Sequence, residues 1–465
     1  MPDPSRAAAS DKPRGALDRV LGAFTDVRQG EGATALLLML NIFFLLAAYS
    51  MLKTIREPLI LTVPGGAEVK SYAAAAVAAL FLILVPLYSA LASRVSRVRL
   101  INGVTLFFAL CLVAFFILNR AGVPIGVAFF IWVAIFNLMV IAQLWAFAND
   151  VYTVEQGKRL FAVVGFGASL GAIAGSFSTG QLVDTYGPYP FMLGACGLLA
   201  ICMLLTNVVN VREKRARSER PAEARPAETT GAGAAAAAPE AGSDEVMRGR
   251  SGFALVLRDR YLLLIGLLML IYNFVNTTGE YILGKVVVGS YIATHGEGAL
   301  AGLDAKKVIG EFYGNFQTVV NVISALIQAF LVSRILKWFG VRAALLVLPA
   351  VALIGYTAMA FVPILAFIRG AKLAENSLDY SLQNTTKNAL YLPTSREAKY
   401  KAKQANDTFF VRMGDVMSAG LVFAGTTWLG FAPREFALTN VALIVLWILI
   451  AVAIGRMFKR MAGTL

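Results

Sequence analysis

The sequence is short of the residues that redox chemistry, metal chemistry and solvation by water require. One histidine, His295, and three cysteines, Cys111, Cys196 and Cys202, occur in 465 residues. His295 lies in a polar stretch with no second histidine to share a zinc or haem iron, so no metal site and no cofactor is expected. The thiols lie within apolar runs, where cysteine behaves as a small hydrophobe, and no disulfide is expected. Only 15% of residues are charged, against about 25% in soluble domains. The first 32 residues are polar and charged, with no apolar region ahead of the first long run, so no cleavable signal peptide is expected. No nucleophile, metal cluster or acid pair stands in a catalytic arrangement, which argues against an enzyme.

What is present in excess is apolar surface, at 58% of residues. The apolar runs are hydrophobic around the whole helix, so their solvent is lipid. Measured against the roughly 20 residues needed to cross a bilayer, the chain divides into about twelve spans. Six lie near Ala33 to Leu52, Ser71 to Ala92, Leu100 to Leu118, Gly126 to Asn149, Leu160 to Val183 and Phe191 to Val211. Six more lie near Tyr261 to Leu283, Phe312 to Leu336, Ala343 to Val362, Ile364 to Leu392, Asp407 to Phe431 and Ala437 to Met457. The expected fold is an all-α membrane protein of two six-helix bundles, 33–211 and 261–457. An N-terminal segment 1–32 and a tail 458–465 flank them. Between them 212–260 is charged at both ends, carries Pro221, Pro226 and Pro239 around an alanine and glycine tract, and lacks large apolar residues; a disordered linker is expected.

Basic residues sit on alternate loops. Arg94, Arg97 and Arg99 follow the second span, eight arginines and lysines stand in 212–250, and Arg396, Lys399, Lys401 and Lys403 share a third loop, whereas Asp184 to Tyr189 has none. Cytoplasmic loops retain such residues, so both termini and the linker are expected in the cytoplasm of a bacterial inner membrane. The same distribution accounts for the net charge of +14 without a nucleic-acid partner, because the charge is spread loop by loop rather than over one domain face.

The halves echo each other. Ser93 and Arg94 recur as Ser333 and Arg334, and Glu155, Lys158 and Arg159 recur loosely as Glu397, Lys399 and Lys401. Parallel repeats of this kind resemble the major facilitator plan, and Ser93 to Arg97 is similar to a degraded form of that superfamily's loop motif. A short basic loop is the plainer reading of the same residues.

Charges inside spans cost several kcal/mol unless they meet a partner or a wet cavity. The tenth span holds Arg369, Lys372, Glu375, Asp379, Gln383 and Lys387, within about a third of the helix circumference at 100° per residue. The eleventh adds Asp407, Arg412 and Asp415, the last two spaced to pair. Lys53, Arg56 and Glu57 end the first span, and Asn273, Asn276 and Glu280 stand in the seventh. Some of these are expected to be interhelical ion pairs; Arg56, Arg369, Lys372 and Lys387 together point to a cationic cavity. Gly165, Gly167, Gly171 and Gly175 follow no strand and read as helix packing rather than a phosphate loop. Asn102, Asn137 and Gln143 read as interhelical hydrogen bonds or substrate contacts.

Three stretches carry a family resemblance. Tyr49 to Thr62, followed by Pro64 to Glu68, resembles the first-helix motif of the ATP/ADP translocase family. Leu144 to Ala168 is similar to that family's fourth-to-fifth helix junction, and Lys387 to Pro393 with Lys399 to Asp407 is similar to its tenth-to-eleventh junction. The resemblance implies a secondary transporter that exchanges nucleotides or takes them up with an ion. It implies basic residues at Arg56 and Lys387, and an acidic one at Glu57. It departs from the family at Val133 to Asn137, which holds no acid, at Asn276, where the family has glutamate, and at Glu280, where it has a lysine nearby. The expected substrate is a small anion, ATP/ADP or another nucleotide, bound by Arg56, Lys387, Lys53, Arg369, Lys372 and Asn276. Glu57, Glu280, Glu375, Asp379, Asp407, Arg412 and Asp415 are expected to carry coupling or gating charge. The chain is expected to be a monomer in the lipid bilayer. Another organic anion, or a scaffold that does not transport, remains an alternative.

Overall fold

The computed structural model describes residues 31–92, 94–152, 154–218, 252–395 and 397–462, and among them there are helices and connecting turns but no strand. Among the described residues, nine helices are long and apolar enough to cross a membrane. One of these, 303–361, is two spans in succession, because Gly340 takes a left-handed backbone (φ 74°) that only glycine adopts without strain. Two further spans, 365–389 and 398–427, carry too much charge to count as apolar but complete the set of twelve. We number them α1 (Gly32–Leu61), α2 (Gly66–Ala92), α3 (Arg97–Arg120), α4 (Gly126–Val151), α5 (Val154–Tyr186), α6 (Pro190–Ser218), α7 (Arg260–His295), α8 (303–339), α9 (341–361), α10 (365–389), α11 (398–427) and α12 (Pro433–Ala462).

Helix α1 is longer than the sequence pattern suggests. It runs past the polar cluster and through Pro58 to Leu61, so Lys53, Arg56 and Glu57 lie within the span rather than at its end. Pro64, Gly65 and Gly66 then turn the chain. Gly65 has φ 62°, and a Cβ at Gly66 would overlap the carbonyls of Ile60 and Leu61. His295, expected in a loop, is the last residue of α7 and stacks on Tyr291. Helix α6 continues through 212–218, and Gly252–Arg258 forms a short helix whose Phe253 ring meets Phe409 of α11 at 5.1 Å. The remainder of the linker, the segment before Glu31, the tail beyond 462, Ser93, Arg396 and the side chains of Glu155 and Lys158 lie outside the described residues.

Within the first bundle, α5 packs on α1 through small residues. A Cβ at Gly167, Gly171 or Gly175 would meet the backbone of Met39, Phe43 or Ala47 respectively. The i, i+4 spacing lets the two backbones approach closely, which is how helices associate where lipid supplies no hydrophobic drive between them. Interhelical hydrogen bonds add to it. Asn41 donates to Thr206 at 2.8 Å and Asn102 to Asn207 at 2.9 Å, each contributing on average about 0.6 kcal/mol. Arg97 ties α3 to Asp150 (3.0 Å) and Glu213 (3.2 Å), at the linker end of α4 and α6.

Each half has its own apolar core, but Ile60, Leu61, Ala67, Ala73 and Phe130 of the first half belong to the core of the second. They mark where the halves meet. At the end of the bundle away from the linker, Gly180 of α5 crosses Gly314 of α8, Lys285 of α7 pairs with Glu68 of α2 at 2.6 Å, and Tyr72 meets Phe423. Near mid-membrane, Asn321 of α8 donates to the Ala172 carbonyl of α5 at 3.1 Å. These contacts between the halves, all among the described residues, lie between that end and mid-membrane.

Among the described residues, wide π-helical turns interrupt α4 at Asn137–Ile141, α8 at Ile327–Leu331, α10 at Asp379–Gln383 and α11 at Ala398–Ala402 and Asn406–Phe410. Turns of this kind mark functional positions more often than chance.

Candidate functional site

The polar residues of α1, α2, α7 and α10 meet as a chain of alternating charge. The Arg56 Nε pairs with Glu57 at 2.9 Å, and Glu57 takes Lys70 of α2 at 2.6 Å. Lys70 reaches Glu280 of α7 at 3.8 Å; Glu280 pairs with Lys372 of α10 at 3.4 Å, and Lys372 with Glu375 at 3.0 Å. Three bases and three acids alternate, so the chain is neutral as a whole. Each buried charge has an opposite neighbour, which offsets desolvation.

The α10 end of this chain is the most enclosed. Lys372 has no exposed surface, and its ammonium also donates to Asn276 at 2.9 Å. Glu375 accepts from the Tyr356 hydroxyl of α9 at 3.0 Å, and Asn376 donates to Glu280 at 3.1 Å. Space for Tyr356 comes from Gly279, where a Cβ would overlap the tyrosine hydroxyl and stand 3.1 Å from the Lys372 ammonium. Lys372 and Asn276, expected to bind substrate, are here partners of each other, and Lys372 is also the partner of two acids.

At the α1 end, the Arg56 guanidinium lies over the Phe130 ring at 4.7 Å, a cation–π contact. Arg56, Lys70, Phe130, Thr277, Glu280, Arg412 and Asp415 are among the residues lining a cavity of about 180 Å³. Arg412 and Asp415 form the expected i, i+3 pair at 3.0 Å, and Asn273 and Thr277 donate to Asp415 at 2.7 and 2.9 Å. Lys53 donates to the Tyr380 hydroxyl of α10 at 2.7 Å, crossing from one half to the other. Arg369 lies over the Phe312 ring at 5.3 Å. Lys53, Arg369 and Lys387 have no carboxylate within ion-pair distance among the described residues. Asp379, buried on α10, has no base within ion-pair distance among the described residues. Asp407, toward the linker end of α11, is exposed and reaches Lys403 at 3.9 Å.

The structure therefore gathers Arg56, Glu57, Glu280, Lys372, Asn276, Arg412 and Asp415 around one region, with Lys53 above Tyr380 beside it. It sets Arg369, Lys387 and Asp407 apart from that region, and none of them lines the cavity. Sequence reasoning missed Lys70, Tyr356 and Tyr380. Lys70 was passed over because the second span was begun at Ser71; the Gly65–Gly66 turn and the acid Glu68 just inside it are the signals that start the helix earlier and carry Lys70 into the membrane.

Two six-helix bundles sealed at one end, with an ion-lined cleft between them, have the build of a secondary transporter. The chain belongs to the Major Facilitator Superfamily, whose family model matches residues 33–373. Among curated relatives it is 23% identical over 357 residues to ADP,ATP carrier protein 1 of Chlamydia pneumoniae, covering 69% of this chain and 65% of the carrier. To ADP,ATP carrier protein 1 of Chlamydia trachomatis it is 24% identical over 362 residues, covering 69% and 63%. The match thus spans a little under two thirds of those carriers' length. Among solved structures, the nucleoside transporter NupG superposes with a TM-score of 0.59 at 11% identity, over 92% of this chain and 99% of that one. A bacterial homologue of the human lysosomal transporter Spinster, inward-facing and unoccupied, gives 0.54 at 14% identity, over 92% and 97%. These likenesses show the fold.

Proposed function

We propose that this protein is a secondary transporter of a small anionic substrate, a nucleotide of the ATP/ADP type, and not an enzyme. It works by alternating access between its two halves as a monomer. Both termini and the linker face the cytoplasm of a bacterial inner membrane. One observation carries the choice of an anion. Three bases within spans, Lys53, Arg369 and Lys387, stand without a carboxylate at ion-pair distance among the described residues, against one such buried acid, Asp379, so the uncompensated charge of these spans is positive. Similarity to the chlamydial ADP,ATP carriers supports a nucleotide as that anion. Arg56 presents a planar fork suited to bidentate contact with phosphate, while Lys53 and Lys387 act as point charges.

Uptake of labelled ATP and ADP into proteoliposomes, with and without nucleotide inside, tests the reading. Saturable uptake that depends on internal nucleotide supports exchange, and uptake driven by an ion gradient alone supports ion coupling. Absence of uptake of every nucleotide by protein that is correctly inserted overturns the substrate assignment. Alkaline phosphatase fused within the linker tests orientation: it should be inactive, and high activity there overturns the cytoplasmic placement.

A further inference from the structure

Lys70 sits at the one place where the alternating charge chain passes from one half of the molecule to the other. Its bond to Glu57, within its own half, is 2.6 Å, and its reach to Glu280, in the other half, is 3.8 Å. That is the longest link in the chain, and it lines the same cavity as Arg56 and Arg412. Cutting the chain there leaves unequal fragments. Arg56, Glu57 and Lys70 keep two bases for one acid, a net charge of +1; Glu280, Lys372 and Glu375 keep two acids for one base, a net charge of −1. When the closed end opens, the first fragment therefore lacks an anion.

We propose that Lys70 is a further substrate-binding residue, and that an anionic group of the substrate competes for it with Glu280 of the opposite half. The proposal rests on the anion-transport reading above. In the state described, Glu280 stands in for the substrate's charge and holds the halves together. A phosphate or carboxylate entering the cavity takes Lys70 and Arg56 and frees Glu280, so occupancy and opening of the closed end are linked through one ion pair. Glu280 keeps Lys372 and Asn376 as partners when released, and Glu57 keeps Arg56, so neither acid is stranded by the exchange.

The competition has an outcome that a structural ion pair does not share, because the two partners respond in opposite directions. In purified full-length protein, affinity for ATP, ADP, AMP and inorganic phosphate is read from thermal shifts in detergent and from half-saturation of uptake. Glu280→Gln, which preserves the amide-compatible contact with Asn376, should bind the anion about tenfold more tightly, and Lys70→Gln about tenfold more weakly. Lys70→Arg should restore most of the binding. If the pair is only structural, both glutamine variants lose binding and melt early together, and the double variant recovers; that result overturns the proposal. Wild-type binding with unaltered affinity in Lys70→Gln also overturns it while leaving the transport reading intact. A wild type that binds none of the four probes removes both.

Discussion

The two halves share one architecture and differ in what they bury. In the first, the fourth helix is lined with rings: Phe129, Trp132 and Phe136 stack along one side and meet Phe108 and Phe115 of α3 at 5.3–5.7 Å. In the second, the corresponding α10 buries Lys372, Glu375, Asn376 and Asp379. One bundle is held by apolar contact with a few hydrogen bonds, the other by a polar network that runs through Tyr356 and Asn276. A symmetric frame has thus been decorated unequally, with much of the ionic chemistry placed on one side and the complementary bases Arg56 and Lys70 offered from the other. Charge removed from the second half should damage the fold as much as the activity. Charge removed from the cleft-facing part of the first half should damage activity alone.

The largest expected effect is at Lys372. Lys372→Met strands the fully buried carboxylate of Glu375 and should cost about 3–5 kcal/mol of stability, seen as poor expression and early melting in detergent. Adding Glu375→Leu should restore much of the melting temperature; failure to restore it would show that Glu280, the other partner of Lys372, is the acid left stranded. Next is Gly279→Ala, whose methyl would occupy the Tyr356 hydroxyl's position. Displacing that ring should cost about 1–3 kcal/mol, again read as melting temperature, and an unchanged melt would remove the network's claim to a structural role. Arg56→Ala and Lys387→Ala should fold as the wild type does. Glu57 retains Lys70 when Arg56 is lost, and Lys387 has no ion-pair partner to strand. Each should lower uptake of an anionic nucleotide by at least about tenfold, a difference of about 1.4 kcal/mol. Arg56→Lys should keep part of it, since charge remains but the planar fork does not. Full uptake by both alanine variants would leave the fold and remove the anion site. The smallest effect is expected from deleting Pro221 to Gly242, which should leave uptake within about twofold because a tether without apolar anchors serves chiefly to span. A larger loss in protein that still inserts would show that the tether docks.

Much of this was legible in the sequence, and the reasons are specific. Span lengths, the two-bundle plan and the Arg412–Asp415 pair follow from apolar run length and helical spacing, which are local properties. The small-residue face of α5 followed too, because no strand precedes its glycines. The partners of embedded charges were not legible. That Lys372 is enclosed by Glu280 and Glu375, while Lys387 has no acid beside it, depends on how helices distant in sequence are rotated against one another. The ends of α1 and α2 are not legible for a related reason. Polar residues resemble span boundaries in the sequence, yet Lys53, Arg56, Glu57 and Lys70 lie within their helices, paired with one another and with partners on neighbouring helices. The π-helical turns left no mark in the apolar pattern at all.

Those turns bear on how the molecule came to be. One residue inserted into an α-helix leaves a single wide turn of this kind, and here two of the turns begin at Asn137 and Asp379, 379 less 137 giving an offset of 242. Glu155 and Glu397, at the start of the following helix in each half, stand at the same offset. One insertion in a six-helix ancestor, copied into both halves when that ancestor was duplicated, accounts for this pair. The turns at Ile327–Leu331, Ala398–Ala402 and Asn406–Phe410 have no counterpart at that offset and stand in the second half alone among the described residues. The aromatic lining of one descendant and the charged lining of the other then diverged around an irregularity they had already inherited. Relatives that carry the wide turn in only one half, at the base of the lineage, would speak for two separate events.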